Sequence, residues 1–356
     1  MISKKNLEFL FLIIFSVFFS FLVLNFLLFF FSKNFIKQEI IPKNLLRYLP
    51  IETTYFYTNT YEALKTYDVI LGDSHVFGSG DAYLNDEYDY TIAHHLYNNL
   101  GKNVNILNIG VPGAGSATIF ENFEKSQRKI KFKPNKVIFF FYEGNDLENN
   151  MRFLKSSKKD KFEKNIIYYF PLLKIVANIL FVLFPDYLTE NTKIDYSLDK
   201  DLKNKYFLKG KYITSSNRLE SPPIDFNQEQ LYKSMNVLFE SIVKLKSYSD
   251  NISLIYLPAQ TTILDLKDPI YIEKDFGKNN STKYFKKELD SLSNNIKENI
   301  IDFSETNKIQ FIDMTDLLKK HSYKKNIYGT FDYKHLNKYS HKLIAEDLMA
   351  KIYKKN

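Results

Sequence analysis

The chain has 356 residues, a hydrophobic content of 45% and a charged content of 25%, the proportions of a folded protein and not of a disordered one. Its formal charge of +8 comes from lysines spread along the whole length. No dense Lys/Arg block with interleaved aromatics stands out, so the charge does not select nucleic acid as a partner. There is no cysteine, which excludes disulfides, thiolate metal sites and a cysteine nucleophile.

Residues 1–8 form a short tail carrying Lys4 and Lys5. Residues 9–31 are almost wholly apolar, interrupted only by Ser16, Ser20 and Asn25. About 20 apolar residues cross a bilayer as a helix. The run is longer than the ~7–15-residue apolar core of a cleaved signal peptide. Its exit, Phe31-Ser32-Lys33-Asn34, lacks a small-x-small cleavage pattern. It therefore predicts an uncleaved, single-pass membrane anchor over 9–31, in contact with the lipid bilayer. Lysines flank it on both sides, so the positive-inside rule leaves its orientation open. The short tail suits an anchor that puts the rest of the chain, and any catalytic domain in it, outside the cytoplasm. Residues 32–66, broken by Pro42 and Pro50, read as a lead-in.

Residues 67–71 are apolar but for Asp68 and end in Gly72-Asp73-Ser74, which reads as a buried strand followed by a tight turn. A helical pattern over 89–100 stops at Gly101. It contains His94 and His95, whose side chains point about 100° apart on a helix and are not placed to chelate one metal. A second strand over 104–109 runs into Gly110-Val111-Pro112-Gly113, and a helix follows over 117–129. A third strand, 137–142, ends in Glu143-Gly144-Asn145-Asp146. Strands alternating with helices argue for a parallel sheet covered on both faces.

Residues 151–225 interrupt this rhythm. Their apolar run, 166–188, carries Pro171, Lys174, Asn178 and Pro185, which favours an amphipathic helix over a second span. Pro222-Pro223 closes the insertion. The pattern then resumes with a helix over 228–246, a strand over 252–258, a helix over 282–306, a strand over 309–313 and a closing helix over 336–353.

A serine hydroxyl becomes a nucleophile when a base, usually histidine held by a carboxylate, takes its proton. Ser74 follows a strand, where open α/β sheets place their chemistry. In isolation the same turn serves equally as an N-capped helix start. Of six histidines, His335 has the most telling surroundings, because Asp332 lies three residues before it ahead of the last helix. Asp332 would orient the imidazole, or simply cap that helix. An oxyanion needs donors ~2.7–3.1 Å away. The amides of Ser74 and Gly113 and the side chain of Asn145 suit that role, although a tight turn and an Asx-turn would also account for Gly113 and Asn145.

Together these stretches resemble the SGNH hydrolases, also called the GDSL esterase and lipase superfamily, over 67–356 with the insertion outside the match. Gly72-Asp73-Ser74 matches the family's first block and Asn108-Ile109-Gly110-Val111-Pro112-Gly113 resembles its second. Glu143-Gly144-Asn145-Asp146 matches the third, G-x-N-D, with Glu143 in place of the first glycine. Asp332-Tyr333-Lys334-His335 matches the closing D-x-x-H. The resemblance implies a three-layer α/β/α, flavodoxin-like fold with a five-stranded parallel sheet. It makes Ser74, His335 and Asp332 a catalytic triad and Ser74, Gly113 and Asn145 the oxyanion donors, with no metal or organic cofactor. The implied activity is ester hydrolysis, with an O-acylated glycan as a fitting substrate. Two alternatives stand beside it. One is an extracytoplasmic polysaccharide O-acyltransferase using the same triad beside a membrane partner that supplies the acyl group. The other is a non-catalytic binding module.

Overall fold

The computed structural model describes residues 4–37, 65–156, 204–215, 219–273 and 281–353, apart from 86, 88, 102, 129, 131 and 331. The chain divides into two compact units, one of residues 1–54 with 156–193, the other of 55–155 with 194–356.

In the first unit, α1 (Lys4–Lys37) is a 34-residue helix. Phe11, Phe15 and Phe19 stack along it at i, i+4 spacing with ring centroids 6.3 Å apart. Most described side chains between 11 and 27 are exposed and apolar. Among the described residues no helix is long and apolar enough to cross a membrane. The spanning anchor expected over 9–31 is therefore not borne out, although a helix does occupy that stretch. Of the expected lead-in, 32–37 belongs to this helix and 38–64 lies outside the described residues. The helix expected over 166–188 lies outside them too.

The second unit carries the strands β1 (Tyr67–Gly72), β2 (Asn105–Gly110), β3 (Lys136–Tyr142), β4 (Asn204–Leu208), β5 (Lys211–Ser215), β6 (Ile252–Leu257), β7 (Ile270–Glu273), β8 (Ser281–Tyr284) and β9 (Gln310–Asp313). Five of them form one parallel sheet in the order β2-β1-β3-β6-β9. Its register sets Gly72 beside Gly110, Leu71 beside Phe139 and Tyr142 beside Leu257. The pairs β4-β5 and β7-β8 are antiparallel hairpins.

Every residue of β1 and β6 is buried, as continuous apolar strands covered on both faces require. On one face Ile70, Phe140 and Ile255 pack into a cluster with Ile92 and Leu96 of α4 (Ile92–Asn99) and Ile344 and Leu348 of a C-terminal helix, Lys338–Leu348. The alternate residues Phe141 and Tyr256 face the other way, their rings 6.0 Å apart. The Tyr256 hydroxyl lies 3.4 Å from Ser293 of a long helix, Lys286–Thr306. Each fully buried Phe or Ile contributes roughly 1.5–3 kcal/mol.

The remaining described α-helices are α2 (Ser74–Phe77), α3 (Asp81–Leu84), α5 (Ser116–Gln127), α6 (Asp146–Lys155), α7 (Gln228–Leu245), α8 (Gln260–Ile263) and α10 (Thr315–Ser322), with Lys286–Thr306 as α9 and Lys338–Leu348 as α11, which a π-helix, Met349–Tyr353, follows. Local chemistry sets several starts. Thr91 caps α4 by accepting from the His94 N–H. Asn227 and Gln230 form a capping box on α7. Asn337 caps α11. The helix expected over 282–306 begins only at Lys286, because Ser281–Tyr284 is drawn into a hairpin with β7. α6 runs on to Lys155, into the stretch expected as an insertion over 151–225, and the same stretch holds the β4-β5 hairpin.

Candidate active site

The strand order reverses around β1, whose neighbours β2 and β3 are entered in opposite directions. Crevices at the carboxyl ends of strands form at such switch points. The turns after β1, β2 and β3 carry Ser74, Gly113 and Asn145, all three sequence candidates from this half of the chain.

The β1 turn is tightly confined. A Cβ on Gly72 would meet Val76 Cγ2 at 2.4 Å, and one on Gly110 would meet the backbone nitrogen of Phe77 at 2.1 Å. Only glycine lets α2 lie this close to β2. The Val111 N–H donates to the Gly72 carbonyl at 2.9 Å, and Asn108 Nδ2 donates to the Val76 carbonyl at 3.1 Å. Asp73 caps α2, accepting from the His75 N–H at 2.9 Å. Ser74 is thereby fixed at the start of α2.

From the far end of the sequence, the loop ahead of α11 brings His335 to this serine. His335 Nε2 lies 2.9 Å from Ser74 Oγ, across 261 residues of sequence. Its Nδ1 lies 2.7 Å from Asp332 Oδ2. A carboxylate there makes Nδ1 the protonated nitrogen and leaves Nε2 to accept from the serine hydroxyl. Ser74 Oγ has a second acceptor, Asp73 Oδ2, at the longer distance of 3.4 Å.

Gly113 adopts a φ of 70°, and a Cβ there would meet nothing within 4 Å. Asn145 is half-buried, and its Oδ1 accepts from Asn149 Nδ2 at 3.3 Å. Glu143, the departure from G-x-N-D, is fully buried. Its Oε2 accepts from the Ala259 N–H and from Thr262 Oγ1, both at 2.8 Å. It therefore links the ends of β3 and β6. Asp146 closes the turn by accepting from the Tyr142 N–H at 2.8 Å.

Burial lowers the pKa of His335, but the hydrogen bond and charge of Asp332, with the charges of Glu220 and Asp73, outweigh it and leave the ring raised. Burial likewise raises Asp332, and its contacts with His335 reverse that, so its carboxyl sits below the usual range. Burial pushes Asp73 up to about 6, against the His75 N–H and the charge of His335. Asp146 is pushed well above the ordinary range by burial and by Asp73.

Four residues near this site carried no signal in the sequence. His75 is fully buried, with its ring 4.1 Å from that of Tyr142 and 5.2 Å from that of His335. Burial, then the charges of His335 and His341, hold it neutral. Glu220, at the end of the insertion, lies 3.8 Å from Lys334. Gln260 accepts from the Glu220 N–H at 2.9 Å and donates to the Tyr333 carbonyl at 2.6 Å. Asp81 accepts from the Asp332 N–H at 2.6 Å and from the Thr330 N–H. Their partners are distant in sequence, so no local pattern reveals them. His94 is turned to Asn98, 2.7 Å away, and among the described residues no group of His, Asp or Glu is arranged to hold a metal ion. A groove of about 580 Å³ runs beside Phe120, Leu154 and Val243, and no triad residue lines it.

No protein-family model matches this sequence, and a search of curated proteins finds no match. Solved structures do match. One is the acetyl xylan esterase AlAXEase, at 12% identity and a TM-score of 0.38, over 80% of this chain and 98% of that one. Another is a catalytic mutant of Axe2, an acetylxylan esterase from Geobacillus stearothermophilus, at 10% identity and a TM-score of 0.39, over 81% and 94%. A third is a member of the lipolytic G-D-S-L family from Veillonella parvula, at 11% identity and a TM-score of 0.41, over 82% and 100%. The matched structures are thus two acetylxylan esterases and one lipolytic protein of the G-D-S-L family.

Proposed function

We propose that this chain is a serine esterase of the SGNH type. The observation that supports this reading is the unbroken chain of contacts from Ser74 Oγ through His335 to Asp332, at 2.9 and 2.7 Å. In the proposed mechanism His335 Nε2 takes the Ser74 proton as Oγ attacks an ester carbonyl. The N–H groups of Ser74 and Gly113 and the Asn145 amide receive the negative charge that develops on the carbonyl oxygen. His335 then passes its proton to the departing alcohol, and Asp332 stabilises the imidazolium between the two steps. Water, activated by the same ring, releases the acyl group. The route uses no cofactor. A short-chain O-ester on a carbohydrate is the substrate class to test first.

We further propose that α1 associates with lipid, because Phe11, Phe15, Val17 and Phe18 are each more than half exposed and present an apolar surface to solvent. Sedimentation of the full chain with liposomes tests this, and a chain that stays in the supernatant refutes it.

Hydrolysis of p-nitrophenyl acetate by Ser74→Ala, measured beside the wild type, tests the catalytic reading. A loss of ~10³-fold or more in kcat is expected, together with loss of labelling by a fluorophosphonate. Equal activity in the variant removes Ser74 from the mechanism.

A further inference from the structure

His335 and Asp332 stand in a loop, and a loop holds a reactive geometry only if something fixes it. The ends of this loop are closed by an antiparallel bridge between Tyr328 and Leu336, and the Gly329 N–H donates to the His335 carbonyl at 3.0 Å. Neither contact fixes the loop against the nucleophile. Asp81 does. It is the first residue of α3, seven positions past Ser74. Its Oδ1 accepts from the Asp332 N–H at 2.6 Å, and its Oδ2 accepts from the Thr330 N–H.

The approach is close enough to demand glycine on both sides. A Cβ on Gly329 would lie 2.6 Å from Asp81 Oδ1 and 2.5 Å from the Asp332 carbonyl oxygen. Gly80 has a φ of 138°, and a Cβ there would lie 3.3 Å from the Leu336 carbonyl oxygen and 3.4 Å from His335 Cβ. The segment that carries the nucleophile and the loop that carries its base are therefore joined by one carboxylate, which bonds two backbone donors at once.

We infer that Asp81 is a positioning residue for the triad: by clamping the backbone of Thr330 and Asp332 to the Ser74 segment it sets the reach of His335 to Ser74 Oγ. It touches no reacting atom. The inference rests on the esterase reading above. Gln260 holds the same loop from another direction, through the Tyr333 carbonyl. It links the loop to the residue-220 return and not to the nucleophile.

The test compares wild type, Asp81→Asn, Asp81→Glu and Gly329→Ala, with active sites titrated by a fluorophosphonate so that kcat is counted per reactive serine. Asn offers one acceptor oxygen and turns an N–H toward a backbone N–H. We expect kcat on p-nitrophenyl acetate to fall about 10- to 100-fold, as sub-ångström misplacement of a base does, with KM changed less than threefold. Asp81→Glu, with both acceptor oxygens, recovers part of the rate. Gly329→Ala, which displaces the carboxylate from the other side, reproduces the loss.

A second readout separates positioning from stability. In the wild type the groups facing His335 are Asp332, Asp73, Glu220 and the neutral His75 and His341. Loosening the loop weakens the Asp332 contact that raises the His335 pKa. The acid limb of kcat/KM then moves to lower pH, and the low-field Nδ1 proton resonance of His335 broadens or vanishes. A purely structural role reduces the titrated fraction and moves neither. Full kcat per titrated site and an unmoved limb in Asp81→Asn and Gly329→Ala overturn the inference. Should Asp81→Asn not fold, Gly329→Ala and Asp81→Glu decide it. A wild type that neither labels nor hydrolyses overturns the esterase reading and this inference with it, whereas an active wild type beside unaltered variants overturns this inference alone.

Discussion

At the scale of single residues, the chemistry depends on which protons sit where on His335. The ring must be neutral at Nε2 to accept from Ser74, and its pKa is raised. The acid limb of kcat/KM should therefore lie above the ~6.5 of a free imidazole, which a pH-rate profile on a small ester measures. Asp332→Asn leaves the loop with a neutral partner that favours the wrong tautomer, and a fall in kcat on the order of 10⁴ is expected. Asn145→Ala removes one oxyanion donor and should cost ~10²–10³ in kcat with little change in KM. Asp73 carries a different consequence. An acid whose folded pKa is raised holds its proton more tightly when folded. Its contribution to stability is therefore full below 3.8 and is lost as the pH climbs through about 6. Asp73→Asn keeps an acceptor for the His75 N–H and removes the buried charge. It should be more stable than the wild type at pH 8, by roughly 1–3 kcal/mol, with the advantage vanishing near pH 4 in urea melts.

At the scale of elements, the nucleophile turn shows how packing decides what a motif means. Gly-Asp-Ser in a sequence is a turn of uncertain purpose. Here Gly72 and Gly110 admit α2 against β2 at distances that a single methyl would close, since Cβ atoms would fall 2.4 and 2.1 Å from their neighbours. Gly110→Ala should therefore cost at least ~1–3 kcal/mol and reduce fluorophosphonate labelling in the fraction that still folds. The start expected at residue 228 matches a helix that begins at Gln228 behind the Asn227 capping box, whereas the helix expected over 89–100 begins only at Ile92, where Thr91 caps it. The helix start was not legible at residues 281–284, where pairing with β7 overrides a helical pattern that continues into Lys286–Thr306. Glu143 was unreadable for a similar reason. It departs from a family glycine, yet its carboxylate serves Ala259 and Thr262, more than a hundred residues away.

At the scale of the whole molecule, one parallel sheet gathers groups from residue 74 to residue 335 at one edge of its strands. The central strands hold that arrangement, and Phe140, almost fully buried on β3, lies against the nucleophile turn, where it comes within 3.1 Å of a Cβ placed on Gly72. Phe140→Ala should cost about 3–5 kcal/mol in chemical denaturation and lower activity only through the folded fraction.

The sequence by itself determined the strand-helix alternation, the parallel sheet and the three glycine-bearing turns. Apolar runs, glycines and caps act over a few residues, and their physics is readable from neighbours alone. It also singled out Ser74, Gly113 and Asn145 after strands and Asp332 and His335 ahead of the last helix, because those residue types in that order match a known chemical pattern. Only the tertiary structure decided that His335 reaches Ser74, that Asp81 and Gln260 hold the loop between them, and that His75 lies buried beneath the ring. Those contacts join residues from 73 to 261 positions apart. Hydrogen bonds of that range exist only once the sheet has set the order and spacing of its strands.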